Sequence, residues 1–554
     1  MYIRLMLLCG LYNCTYDMSL EIINIMDSIA PILHTKLFLV TALITVIYMY
    51  FKFVIYGYWK RRGIPHAPPI IPVGNAFPLI SGKVSIGNLM RQKYNEGKKY
   101  PVYGIYMFHK PILLINDPNV IQLILIKEFN KFCNRGLYFN DKVDTLSLNL
   151  FFLPGERWRQ LRTKLTPTFT SGKLKQMYPL LLEIGDNLIR VCDQIIKKDN
   201  IVEFKDLIGR YTTDSISSIA FGVDCQSLDN GSSEFQKHGI MVFDLPPSKI
   251  ASAVFAPIIL DIFRIPVFNN TITQFFVKTF NDVLEERRRN KITRKDFLNS
   301  LMQLLDKGSL DEDKDLKQKD NNNSANGSAL GKISLSEAIG QAFIFYLAGF
   351  ETTSSTITYC LYELALNPEI QEKVQAEIDE FSKRDGGITY EIMSNDMKYL
   401  HMVFLETLRK HPSIPFLNRE CIEDCDIPNT NFRIEKGTKL LICMNAMHRD
   451  PDIFPDPEKF DPFRFTKENI ASRQPYTYLP FGDGPRACIG IRFGMLQTKI
   501  ALIGLLSNYN FSVCEKTSIP VMYARRSFTQ TPEYGIYLKT EKRNKSTFLY
   551  KNRQ

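Results

Sequence analysis

The stretch Pro480 to Gly490 reads PFGDGPRACIG and runs directly into IRFGMLQTKIALIGLL. In the second run Phe493, Leu496, Ile500 and Ile503 recur at helical spacing, so they mark one face of a helix and place Cys488 in a glycine-rich loop that opens it. A thiol at a helix N-terminus gains from the positive end of the dipole and from free backbone N–H groups, both of which favour the thiolate. Gly482 and Gly484 let the chain turn tightly, and Gly490 leaves room for something planar and bulky to approach. Arg486, two residues before the cysteine, would lie beside that object as a partner for a carboxylate.

Working outward, Ser334 and Glu337 form an S-x-x-E capping box, and an apolar run follows until Asn367 and Pro368 stop it. About 33 residues of helix at ~1.5 Å each span roughly 50 Å, enough to cross the whole body. AGFETT, Ala348 to Thr353, interrupts this helix with a glycine, an acid and hydroxyls, and the Thr352 hydroxyl can bond back to the Ala348 carbonyl and bend the backbone. In FLETLRKHP, Glu406 and Arg409 share a helix face at i and i+3. In GERWRQLR, Trp158 and Arg162 do so at i and i+4, and Trp158 is one of two tryptophans.

A lone cysteine is ordinarily inert core. The spacing F-x-x-G-x-R-x-C-x-G, filled by Phe481, Gly484, Arg486, Cys488 and Gly490, instead resembles the haem-ligand loop of the cytochrome P-450 family. The other motifs follow in that family's order. AGFETT resembles its oxygen groove, in which Glu351 and Thr352 would relay protons. Glu406 and Arg409, with Arg464 in FDPFRF, resemble a buried structural cluster. Trp158 and Arg162 resemble a pair that meets a haem propionate, with Arg419 and Arg135 as weaker matches. KLTPTFTSGKLKQM, Lys164 to Met177, is most similar to microsomal insect-type members. The resemblance implies that Cys488 is the axial ligand of the iron of haem b and that electrons come from NADPH through a flavoprotein reductase, with cytochrome b5 a further candidate donor. It also implies that one oxygen atom of dioxygen enters a substrate. Two rivals stay open at this point, a haem-thiolate isomerase or dehydratase and a non-catalytic membrane-tethered haem or lipid-binding protein. Glu351 and Thr352 argue against both.

Near the N-terminus, Leu37 to Tyr58 is apolar except for Lys52, a length that matches the ~20 residues a bilayer core requires. Trp59, Lys60, Arg61 and Arg62 follow, so by the positive-inside rule the chain beyond faces the cytosol. The implied localisation is the endoplasmic reticulum membrane. GIPHAPPIIPVGN then reads as a stiff proline hinge. The expected organisation is an extension at 1–36, either lumenal or reflecting a start at Met18 or Met26, a transmembrane anchor at 37–58, and a basic stop and hinge at 59–76. A single haem domain at 77–538 and a basic tail at 539–554 complete it. The fold class is mainly α with a minor β sheet, with strand-like runs at Pro111 to Ile115 and Thr438 to Cys443, and Asp306 to Lys332 reads as a polar surface connection.

The composition, 45% hydrophobic and 23% charged, excludes a disordered, collagen-like or disulfide-stapled chain. Eleven cysteines without framework spacing point to a reduced, cytosol-facing protein, and Cys421 and Cys425 read as incidental. Of the formal net charge of +11, six basic residues and one acid fall after residue 538, in what reads as a solvated tail. Without basic blocks interleaved with aromatics, nucleic acid is set aside. Arg157, Arg159, Lys164, Lys173 and Lys175 would steer an acidic reductase. Tyr138 to Phe152, Val242 to Pro266, Ser413 to Phe416 and Arg525 to Gln530 correspond to the family's substrate lining, and their apolar content points to lipophilic molecules such as xenobiotics, plant toxins, steroids, terpenoids or fatty acids.

Overall fold

A computed structural model describes residues 34–244, 253, 257–310, 331–384, 387–525 and 527–544. Most of the expected extension, the greater part of the polar connection and the end of the tail therefore lie outside the described residues, as do parts of two substrate-lining stretches.

The capping box forms at the start of the long central helix, Leu335–Leu366. The Ser334 hydroxyl accepts the Glu337 N–H at 3.1 Å while the Glu337 carboxylate accepts the Ser334 N–H at 2.9 Å. At the other end the chain leaves the helix at Asn367, and Pro368 opens the next one. The helix is continuous through AGFETT. Gly349 serves packing, because a Cβ there would lie 2.8 Å from the Ile216 side chain on the neighbouring helix Phe204–Ala220. The long helix also meets the cysteine helix, Ile491–Asn508. Phe493, Leu496, Ile500 and Ile503 are buried as their spacing predicts, but so are Thr498, Lys499 and Leu502, so this helix is enclosed all round rather than on one face.

Two small sheets flank the helices. Strands β1 (Val102–Met107) and β2 (Lys110–Ile115) form a hairpin. Three more strands are β3 (Ile201–Glu203), β4 (Leu417–Glu420) and β5 (Lys439–Ile442), and β6 (Tyr509–Ser512) and β7 (Tyr537–Lys542) complete the set. The first sheet has the order β1-β2-β5-β4, with β2 and β5 parallel and Ile112 opposite Lys439. The second has the order β3-β7-β6 and is antiparallel throughout. A two-residue ribbon joins Cys425–Asp426 to Arg433–Ile434.

Among the described residues one apolar helix, His34–Ile55, has the length and composition to cross a membrane, and of it only Phe51 and Ile55 at its end pack on the body. Beyond it, residues 59–76, which the prolines mark as a stiff segment, are packed on β1. Trp59 is buried, its indole N–H donates to the Ile105 carbonyl at 3.1 Å, and its ring lies where a Cβ on Gly104 would be 2.5 Å away. The Gly104 carbonyl accepts the Ala67 N–H at 2.9 Å and the Gly104 N–H donates to the Pro65 carbonyl at 2.8 Å, and Arg62 pairs with Glu435 at 2.6 Å. The structure corrects the start of the tail, which lies beyond 539. Leu538 and Thr540 point inward along β7, Lys542 pairs with Asp193 at 3.0 Å, and Arg543 pairs with Asp379 at 2.8 Å.

Candidate functional site

The cysteine loop closes on itself before the helix begins. The Cys488 N–H donates to the Phe481 carbonyl and the Ala487 N–H to that of Gly484, each at 2.9 Å. Gly482 and Gly484 hold φ values of 68° and 73°, and at Gly484 a Cβ would lie 2.1 Å from the Leu125 carbonyl oxygen, so only glycine fits. A Cβ at Gly490 would meet nothing within 4 Å, which leaves that side of the loop open. Phe481 stacks on Phe404 with centroids 6.4 Å apart.

Cys488 is exposed in a loop whose other residues are mostly half-buried, with Arg486 buried. Burial pushes its thiol up, while the Gly490 backbone N–H and the charges of Arg162 and Arg135 pull the other way.

Beside the cysteine, four guanidiniums converge from four separate segments. Arg486 donates to the Leu153 carbonyl at 2.7 Å, Arg162 to that of Ala487 at 3.0 Å, Arg419 to that of Asn418 at 2.8 Å and Arg135 to that of Arg486 at 3.4 Å. Among the described residues none of the four is ion-paired with a carboxylate. The Nε atoms of Arg135, Arg419 and Arg486 and the Nη1 of Arg486 are buried without a hydrogen-bond partner. Burial and then the charge of Arg419 push Arg486 down to about 9, burial pushes Arg419 down to about 10, and burial with repulsion from Arg419 and Arg486 lowers Arg135. Trp158 stacks on Arg486, with the guanidinium carbon 4.1 Å from a ring centroid, a contact that the i, i+4 reading of Trp158 with Arg162 missed.

The structure places Glu351 and Thr352 on different sides of the long helix surface. The Thr352 hydroxyl bonds back to the Ala348 carbonyl, as its spacing predicts. The Glu351 carboxylate instead meets Lys205 Nζ at 2.9 Å, the Ser355 hydroxyl at 3.0 Å and the Thr531 hydroxyl at 2.6 Å. Lys205 and Thr531 are remote in sequence, so no local spacing announces them.

Glu406, Arg409 and Arg464 do come together. Arg409 makes two bonds to the Glu406 carboxylate at 2.7 and 2.8 Å and donates to the His448 carbonyl at 2.8 Å, and Arg464 lies 3.5 Å from Glu406. Burial raises the Glu406 carboxyl even against the pull of Arg409.

The sequence matches the Cytochrome P-450 family profile over residues 65–539. The chain belongs to the cytochrome P-450 family. It is 41% identical over 499 residues to probable cytochrome P-450 6a14 of Drosophila melanogaster, an alignment that covers 88% of this chain and 96% of that protein. It is 38% identical over 497 residues to cytochrome P-450 6a2 of the same fly, with coverage of 88% and 96%. Cytochrome P-450 6k1 of Blattella germanica is 38% identical over 512 residues, 91% of this chain and 96% of that one. Family members are haem-thiolate monooxygenases, and haem is the cofactor that membership implies. The residues present fit that group. An accessible sulfur beside buried cations that lack an anion suits a metal-bearing ring with acidic side arms.

Proposed function

We propose that this P-450 is a membrane-anchored monooxygenase of lipophilic small molecules, in the endoplasmic reticulum with its body in the cytosol, supplied with electrons from NADPH by a flavoprotein reductase. The observation that carries the reading is the accessible Cys488 sulfur next to the partnerless guanidinium nitrogens of Arg135, Arg419 and Arg486. In this reading Cys488 holds the iron of haem b, and Arg135, Arg162, Arg419 and Arg486 bind its two carboxylates, with Trp158 fixing the plane of Arg486. Haem b held by a thiolate supplies dioxygen activation, which places one oxygen atom in the substrate and the other in water. Phe481 and Gly490 shape the proximal side, and Thr352 holds a proton at its hydroxyl. Glu406, Arg409 and Arg464 keep the surrounding loops in register.

An aromatic contact between two of the expected lining segments supports a lipophilic substrate, Phe416 meeting Phe528 at 5.5 Å. Part of the expected lining is core instead, because Leu146 and Leu148 are buried and the Leu148 carbonyl accepts the Gln341 amide of the long helix at 2.9 Å. The proposed reductase face differs from the bare cationic patch read from sequence. Arg157 lies 3.4 Å from Asp141 and 3.6 Å from Glu337, Arg159 lies 3.9 Å from Glu156, and Lys175 pairs with Glu391. Acidic groups of a reductase, or of cytochrome b5, would exchange these exposed pairs, which are individually weak.

Reduced protein under carbon monoxide should show the red-shifted Soret band of thiolate ligation. Its absence from folded, haem-loaded protein would remove Cys488 from the role. NADPH oxidation with added reductase should require dioxygen. Substrate-binding spectra across steroids, fatty acids, terpenoids and plant toxins should reveal the class, and a response confined to polar ligands would count against a lipophilic one.

A further inference from the structure

The Glu351 carboxylate is the end of a line of hydroxyls that comes from the C-terminal part of the chain. Thr531 donates to Glu351 Oε1 at 2.6 Å, the Thr529 hydroxyl lies 3.0 Å from that of Thr531, and the Ser527 hydroxyl lies 2.9 Å from that of Thr529. The segment bends at Phe528 and Thr529, with the Thr529 N–H donating to the Ser527 hydroxyl at 3.2 Å and the Thr531 N–H to the Thr529 carbonyl at 2.9 Å, and these turns draw the three hydroxyls of S-x-T-x-T together. The side chains between them point elsewhere, with Phe528 packing against Phe416. Thr529 is buried, whereas Ser527 is partly exposed and sits two residues from Arg525, whose guanidinium reaches the Gly82 carbonyl at the surface. Lys205 fixes the receiving end, since its ammonium holds Glu351 Oε1 together with the Ser354 and Ser355 hydroxyls at 2.7 and 3.2 Å.

From this geometry we infer that Ser527, Thr529 and Thr531 form a hydroxyl wire that delivers protons from solvent to Glu351, with Lys205 positioning the carboxylate at its end. The inference rests on the monooxygenase reading above. Each hydroxyl is both donor and acceptor, so one step balances within the chain. Thr531 gives its proton to Glu351 Oε1 and takes one from Thr529, which takes one from Ser527, which takes one from a hydronium ion at the exposed end and leaves water. No electrons move, and once Glu351 has given its proton up to the reaction, rotation of the three hydroxyls resets the line for the next one. These three are positioning residues for the proton supply, because they act through Glu351.

The test uses the full chain in lipid with haem and reductase and 7-ethoxycoumarin as the probe. It measures NADPH oxidation in H2O and D2O, and the fraction of dioxygen released as peroxide. Thr531→Val keeps the shape of threonine and removes the hydroxyl. It should at least double the solvent isotope effect and raise the peroxide fraction, while Thr531→Ser restores both. Thr529→Val, one bond farther from Glu351, should do the same, and it carries the test if Thr531→Val loses the thiolate Soret band. A role in packing alone would lower thermal stability and leave the isotope effect unmoved. An unchanged isotope effect and peroxide fraction in the valine variants, with dioxygen-dependent NADPH oxidation intact in the wild type, overturns the wire alone. Absence of dioxygen-dependent oxidation in the wild type overturns the monooxygenase reading and the wire with it.

Discussion

Arg419→Met separates the need to fold from the need to hold an anion. Arg419 is 2% exposed and is pushed by burial from 12.5 down to about 10. Carrying its charge at neutral pH therefore costs the ligand-free fold about 3 kcal/mol, at ~1.4 kcal/mol per tenfold change in proton affinity. Its bond to the Asn418 carbonyl returns about 1 kcal/mol. Methionine has a similar length and no charge, so the haem-free variant should be more stable by about 2 kcal/mol. Since Arg419 stays protonated in both the folded and unfolded chains at pH 7, that gain should be level up to about pH 9 and shrink as pH rises through 10. Haem binding works in the opposite direction, because a guanidinium–carboxylate bond of ~1.5–3 kcal/mol is lost, which offsets most or all of that gain and means haem leaves ~10–150 times faster. Urea unfolding of the haem-free protein and transfer of haem to apomyoglobin read the two arms. A variant less stable without haem that releases haem at the wild-type rate would refute the assignment of Arg419 to the anion site.

The cluster at Glu406 should behave asymmetrically. Arg409→Met leaves a buried carboxylate short of its main partner and should cost about 3–5 kcal/mol, whereas adding Glu406→Met should recover most of that loss in a double-mutant cycle on thermal unfolding. Acid should unfold the body early. Burial pushes His401 and His411 down to about 4 and His448 down to about 3, so they fold neutral, and the stability they allow above pH 6.5 drains away as pH falls toward 4. At pH 5 each costs about 2 kcal/mol, and His411→Gln should lose that much less between pH 7 and pH 5 in urea titrations. Trp59→Ala should cost about 3–5 kcal/mol and speed tryptic cleavage at Arg61 and Arg62, which the docked tryptophan protects.

What the sequence made legible is local. The capping box at Ser334, the stop at Asn367, the strands around 111–115 and 438–443 and the ion pair of Glu406 with Arg409 all depend on residues a few positions apart, and all are where their spacing predicts. β1 escaped because VYGIYM is buried on both faces and has no period of two to read. β7 escaped for the opposite reason. Its alternation is present, with Leu538 and Thr540 inward, but Lys539, Glu541 and Lys542 gave it the charge of a tail. Trp59 was absorbed into a membrane-stop reading because its partner, Gly104, lies too far along the chain for any pattern to connect them.

The site divides in the same way, and the division carries a physical lesson. Spacing singles out the candidate groups but not the groups that face them, since topology chooses the partner. Glu351 finds Lys205 and Thr531, and Arg486 finds Trp158, across intervals with no periodic signal. The four arginines are the sharpest case. Arg135, Arg162, Arg419 and Arg486 come from four segments, and charges of one sign repel, so their mutual attraction cannot be what brings them together. The surrounding core must impose the arrangement and bear its cost. In the proposed reading what offsets that penalty is an anion from outside the fold, the haem carboxylates, with the Cys488 sulfur at the iron.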